Sequence, residues 1–320
     1  MIGRRTGRAA TALLVTAALI SGCGSGSSTA GTAKVGSVPR TIAGAPSATS
    51  PAALGPAPTP GATATAAASG GVPRFAHVVV VVEENKPFGE LVGTPATPFL
   101  TGLAAKGAVL TRSYAITHPS EPNYLALFSG STHGLTSDAC PRQFTGPNLA
   151  AALLAAADTF TGYSESLPSP GYQGCRSGDY ARKHSPWVDF PLPATVNQPM
   201  TAFATDFTRL PNLSFVIPDL ADDMHDGSIA QGDRWLATHL AAYRDWASTH
   251  NSLLVVTTDE DDTSHANHIT TILAGAHVRP GRYDTRIDHY GVLRTLLACF
   301  GLAPFAAAAD AHPITAVWTA

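Results

Sequence analysis

The segment His77-Val78-Val79-Val80-Val81-Val82-Glu83-Glu84-Asn85 decides the fold. An unbroken β-branched run without polar alternation suits a strand covered on both faces, the situation in a parallel sheet packed between helices. Outward from it the pattern alternates. Phe99 to Lys106 reads as a short helix closed by Gly107, and Ala108 to Ile116 as a returning strand. Asn148 to Ala157 is an Ala/Leu helix, while Phe160 to Glu165 and Leu213 to Ile217 read as strands. Asp233 to Trp246 sets Leu236, Leu240 and Tyr243 at helical spacing, ahead of a second buried strand, Leu253 to Thr258. Strand and helix in alternation predict an α/β domain with a mainly parallel central sheet and helices on both faces.

Two of these strands run into acids, one into Glu83-Glu84-Asn85 and the other into Asp259-Glu260-Asp261-Asp262. In an open α/β sheet the functional crevice lies outside the carboxyl ends of the strands, so both clusters are delivered to one edge. Crowded carboxylates repel one another unless a cation joins them; two separate solvated loops are the alternative. A third segment belongs with them: Ile116-Thr117-His118-Pro119-Ser120-Glu121-Pro122-Asn123-Tyr124, running on to Ser129-Gly130. Ser120 stands at a helix N-cap position with Pro122 in the first turn. The free amides and dipole there favour an alkoxide on Ser120 and an arriving phosphate, although a plain N-cap serine reads the same way.

The amino terminus carries a different signal. Arg4, Arg5 and Arg8 precede the apolar run Ala9 to Ile20, and Leu19-Ile20-Ser21-Gly22-Cys23 resembles a bacterial lipobox. Residues 1–22 therefore read as a lipoprotein-type signal peptide, with Cys23 lipidated at the outer face of a membrane. An ordinary secretory signal is the alternative, and the paired arginines also allow twin-arginine export. Residues 23–73 are almost wholly Ala, Gly, Ser, Thr and Pro, the composition of a disordered tether, which leaves 74–320 as the catalytic domain.

Net charge is −3 with no basic stripe, so nothing points to nucleic acid, and no repeat or coiled-coil pattern points to assembly; a monomer is expected. Cys140 and Cys175 lie in polar, Gly- and Pro-rich loops and are expected to pair in an oxidising compartment, while Cys299 sits in an apolar run as a buried free thiol.

The motifs Glu84-Asn85-Lys86-Pro87-Phe88, Thr117-His118-Pro119-Ser120, Lys183-His184-Ser185-Pro186, Pro218-Asp219 through Asp223-Met224-His225-Asp226-Gly227, and Asp259-Glu260-Asp261 occur in that order. Their series resembles the phosphoesterase family of bacterial acid phosphatases and phospholipases C, whose fold is that of the alkaline phosphatase superfamily. The length is closer to the short secreted acid phosphatases. The resemblance implies Glu84, Asn85, Asp259 and Glu260 as metal ligands, Ser120 as nucleophile, and His225 and His184 as phosphoryl contacts. Ser185 departs from the more usual Asn, which loosens the assignment of His184. His118 and His133 are open between site and loop roles, His268 and His289 read as scaffold, and the Asp222-Asp223 pair reads as loop architecture.

Oxygen ligands suit a divalent Mg, Ca or Mn ion, with Zn allowed by the nearby histidines. The implied reaction is hydrolysis of a phosphate monoester through a phosphoserine on Ser120, favoured at mildly acidic pH if histidine protonation aids binding. The substrate is a phosphorylated small molecule or a phospholipid head group. A phospholipase C acting on diesters is the first alternative, and a surface lipoprotein that binds phosphate or metal without turnover the second.

Overall fold

The computed structural model describes residues 71–319. The signal peptide, the lipidation site Cys23 and nearly all of the tether lie outside the described residues. Val72 is already fully buried in the core.

In chain order the strands are β1 (His77–Glu83), β2 (Ala108–Leu110), β3 (Ser113–Tyr114), β4 (Phe160–Ser164), β5 (Arg176–Ser177), β6 (Tyr180–Ala181), β7 (Asn197–Pro199), β8 (Leu213–Ile217), β9 (Ser252–Thr258), β10 (His268–Ile269), β11 (Thr271–Gly275), β12 (Gly281–Tyr283) and β13 (Ile287–Asp288). The helices are α1 (Phe88–Leu91), α2 (Pro98–Lys106), α3 (Ser120–Ser129), α4 (Leu149–Ala155), α5 (Ile229–Ala247) and α6 (His289–Cys299). Eight strands form one sheet in the order β12-β2-β11-β9-β1-β8-β4-β7. From β9 through β7 every neighbour is parallel, and β11 is antiparallel to both β9 and β2. The expected mainly parallel sheet is therefore present, with β1 near its centre.

The valine run explains that position. Val78, Val80 and Val82 face one apolar cluster, which includes Leu125, Phe128, Leu293 and Leu297 of α3 and α6. Val79 and Val81 face the other, with Leu100 and Leu103 of α2 and Leu236 and Leu240 of α5. Each buried aliphatic side chain contributes about 1.5–3 kcal/mol, so a strand apolar on both faces is stable only between two helical layers. On β4, Gly162 lets the sheet meet Trp187: a Cβ there would lie 2.1 Å from the indole ring.

Two expectations are revised. The run Ala108 to Ile116 is not one strand, because a turn at Thr111-Arg112 separates β2 in the main sheet from β3, which pairs with β10 and β13 in a three-stranded sheet. Helix α5 starts at Ile229 rather than Asp233, since the Ser228 hydroxyl caps it by accepting from the Gln231 amide.

Candidate active site

Parallel register delivers the first two acids together. Glu83 lies opposite Thr258, so Glu84 and Asp259 leave the sheet side by side. The Asp259 amide donates to the Glu83 carbonyl at 3.0 Å, and the Asn85 amide donates to Asp259 Oδ1 at 3.0 Å. Asn85 takes a left-handed φ of 53°, which asparagine tolerates better than most residues, and this turns the chain off the strand.

Ser120 is the first residue of α3, and Pro119 holds the cap position. The N-cap reading is thus shifted by one residue, and the serine makes no capping hydrogen bond. Its hydroxyl is turned instead to the acids, 3.2 Å from Glu84 Oε2 and 3.1 Å from Glu260 Oε1. A hydroxyl has one proton, so it can donate to only one of these oxygens at a time. Asn123 holds the approach to Ser120: its Oδ1 accepts the Ile116 and Thr117 amides, and its Nδ2 donates to the Thr117 carbonyl and to Glu260 Oε2. The next amide, that of Glu121, donates to Asp138 Oδ1 at 3.0 Å.

Beneath the serine, His184 lies 3.3 Å from Glu84 Oε2 and 3.2 Å from Asp223 Oδ2, and stacks on Tyr124 with ring centroids 5.0 Å apart. The Tyr124 hydroxyl donates to Glu84 Oε1. Burial alone would raise the Glu84 pKa, but His184 outweighs it and holds that carboxylate ionised. Burial likewise opposes protonation of His184, and Glu84 with Asp223 overrides it, so the imidazole is held cationic well above its usual range. His184 therefore does not supply the expected preference for acid pH. Burial, and then the charge of Glu84, push Asp259 and Glu260 the other way, towards the protonated form.

These residues fit a divalent cation. Asp259 Oδ2 is buried with no hydrogen-bond partner, two carboxylate oxygens converge on one serine proton, and Glu84 and Asp223 offer carboxylate oxygens within 4.8 Å of one another. A cation would replace the protons that crowding forces onto Asp259 and Glu260.

The remaining expected residues are distributed around this centre. His225 sits at the rim, its Nδ1 2.7 Å from Asp226 and its Nε2 3.4 Å from the Lys183 ammonium, with its ring 6.1 Å from that of His184. His118 lies 2.7 Å from Glu260 Oε2 and 3.3 Å from Asp261 Oδ1, so it belongs to the site surroundings. His133 is away from it, bonded to Ser129 and stacked on Phe144. His289 is buried against the Asp259 carbonyl at 2.6 Å; since a carbonyl only accepts, Nε2 carries the proton. His268 contacts the Thr111 carbonyl between the rings of Phe88 and Tyr114. Cys140 and Cys175 are disulfide-bonded, and Cys299 is a buried free thiol.

Asp223, read from sequence as loop architecture, is fully buried beside His184, and its carbonyl accepts the Glu84 amide at 2.8 Å. The signal that could have found it is the one that found the others, an acid shortly after a buried parallel strand, here β8. Tyr124, Lys183 and Asp138 carried no comparable signal.

Residues 94–303 match the phosphoesterase family, a stretch that begins after Glu84 and Asn85. The chain is 52% identical over 255 residues to the phosphatidylinositol-3-phosphatase of Mycobacterium tuberculosis, an alignment covering 78% of this chain and 85% of that one. It is 34% identical over 223 residues to an acid phosphatase of Aspergillus fumigatus, covering 62% of this chain and 50% of that protein. Among solved structures it superposes on a protein of the alkaline phosphatase superfamily from Vibrio parahaemolyticus with a TM-score of 0.56 at 14% identity, covering 77% and 71% of the two chains. The phosphonate monoester hydrolase of Agrobacterium radiobacter gives 0.51 at 12% identity, covering 75% and 76%. At such identities the structural matches speak for the fold alone.

Proposed function

From the premise that this chain belongs to the phosphoesterase family and is a phosphoric monoester hydrolase, we propose that it works through a phosphoserine on Ser120. The observation that carries this reading is the Ser120 hydroxyl held between Glu84 and Glu260, on loops from adjacent strands. A carboxylate at that distance can take the hydroxyl proton as Oγ attacks phosphorus. The Oγ–P bond forms, the ester P–O bond breaks, and the alcohol leaves with a proton. Water then attacks the phosphoserine, releases phosphate and returns the proton to Ser120. Within this scheme Glu84, Asn85, Asp259 and Glu260, with Asp223 behind them, would hold a divalent ion, whose chemistry is Lewis-acid stabilisation of negative oxygen. Tyr124 and His184 orient Glu84, Asn123 orients both Ser120 and Glu260, and His225 faces the phosphoryl group from the rim.

The Mycobacterium tuberculosis relative is named for a lipid phosphomonoester, so a phosphorylated lipid head group is the substrate class to try first. An export signal over residues 1–22, cut before a lipidated Cys23, would place the domain at the outer face of a membrane, where such head groups are within reach; incorporation of labelled palmitate by the intact chain but not by Cys23→Ala tests this. No helix among the described residues is long and apolar enough to cross a membrane.

The test of the chemistry compares hydrolysis of p-nitrophenyl phosphate and p-nitrophenyl phosphorylcholine, with and without chelator. Release from the monoester, lost in Ser120→Ala with fold and metal content intact, is the expected result. Retained turnover in Ser120→Ala removes the nucleophile assignment, and a preference for the diester moves the activity to a phospholipase C.

A further inference from the structure

Lys183 lies on the 3-10 turn Arg182–His184, one residue before the imidazole that touches Glu84. Its side chain is only 17% exposed, and its ammonium stands 3.1 Å from Asp138 Oδ2 and 3.4 Å from His225 Nε2. The other oxygen of Asp138 accepts the amide of Glu121, the residue that follows Ser120. One carboxylate thus spans the lysine ammonium and the amide beside the nucleophile. A phosphoryl group presents two anionic oxygens in a similar arrangement and accepts the same donors.

The surroundings favour a cation at this spot. The buried carboxyl groups of Glu84, Asp223, Asp259 and Glu260 crowd the floor of the site, and each one that is ionised repels a phosphate dianion. Lys183 is close enough for its charge to act on both Glu84 and Glu260. Its flexible stem also lets the ammonium turn from one anion to another, which the stacked and bonded His184 cannot do.

We propose that Lys183 binds the transferred phosphoryl group, and that Asp138 is the internal anion which the phosphoryl group displaces from Lys183 and the Glu121 amide. This rests on the Ser120 reading above and adds to it a phosphate-binding residue and a competitor. The competing structural account is that Lys183 only pins the loop bearing Asp138.

Calorimetric binding of inorganic phosphate to the purified chain with a divalent ion separates the two. Lys183→Met is expected to weaken phosphate binding roughly tenfold or more, the scale of one charge-assisted hydrogen bond, and Lys183→Arg to recover most of it. Asp138→Asn keeps an acceptor for the Glu121 amide but loses the charge that competes for Lys183, so it is expected to bind phosphate more tightly; the double variant should follow Lys183→Met. If Lys183→Met and Asp138→Asn shift affinity in the same direction and by the same amount, Lys183 is a loop anchor and the proposal fails. Undiminished phosphate affinity in Lys183→Met, with turnover at Ser120 retained by the unmodified chain, overturns the proposal and leaves the phosphoserine reading standing. Should the unmodified chain neither bind phosphate nor turn over, both fall together.

Discussion

Removing the Cys140–Cys175 crosslink by Cys140→Ser/Cys175→Ser tests how the wall of the site is held. The cysteines are 35 residues apart in sequence, and closing a loop of that length removes enough chain entropy from the unfolded state to stabilise the fold by about 4 kcal/mol. Arg182 clips the same two loops without covalent bonds, donating from Nη1 to the Gln173 carbonyl and from Nη2 to the Arg142 carbonyl, while its amide donates to the Cys175 carbonyl. Those contacts hold the two loops in place in the folded variant, so the fold is kept and the expected loss is the chain-entropy contribution, about 2–4 kcal/mol. For a domain of this size that is a fall in Tm of about 5–15 °C, read by calorimetry or thermal circular dichroism. Reductant should lower the Tm of the unmodified protein similarly and leave the variant unchanged, since Cys299 is buried and has no partner thiol among the described residues. A change below about 2 °C, or a variant still sensitive to reductant, would refute the reasoning. Because Asp138 lies two residues before Cys140, phosphate affinity should move as well, in the direction set by freeing Lys183.

Two further outcomes follow from buried groups. Leu254→Ala on β9 empties a fully buried position against the α2 and α5 layer and should cost about 2–5 kcal/mol, measurable by urea unfolding, whereas no loss would mean this face is not packed as described. Burial, helped by Asp189 and Asp138, pushes the Glu121 carboxyl up to about 7. A carboxyl raised above its unfolded value favours the fold while protonated, so stability should fall as pH rises from about 4.5 through 7, by at most about 3 kcal/mol. Glu121→Gln should flatten that slope in thermal melts across the same window, and an unchanged slope would dismiss Glu121 as its source.

How much of this was legible in the sequence depended on whether a contact is local. The buried runs of β1, β8 and β9 announce themselves because a strand covered on both faces needs no polar alternation, and their order already implies one edge for Glu84 and Asp259. Ser120 was legible as the start of a helix, but where its hydroxyl points was not, because the partners that turn it are Glu84 and Glu260, far away in the chain. Asp223 and Lys183 illustrate the same limit. Each gains its meaning from a neighbour brought by a loop, His184 for one and Asp138 for the other, and loop paths follow no period that composition reveals. The break between β2 and β3 is hidden for a related reason: Thr111-Arg112 is not a typical turn pair, and what separates the strands is that they belong to different sheets.

The pairing of β1 with β9 bears on biosynthesis. Ser120 meets Glu260 across 140 residues, and that meeting requires β9 to have docked alongside β1. A nascent polypeptide that has delivered β1 and α3 but not β9 holds Ser120, the proposed nucleophile, beside Glu84 but without Glu260. Non-local parallel pairing of this kind is slow to form because loop closure must precede the contacts that reward it. On the proposed mechanism, hydrolytic competence is thus one of the last properties the chain acquires, gained only after most of the domain has emerged and folded.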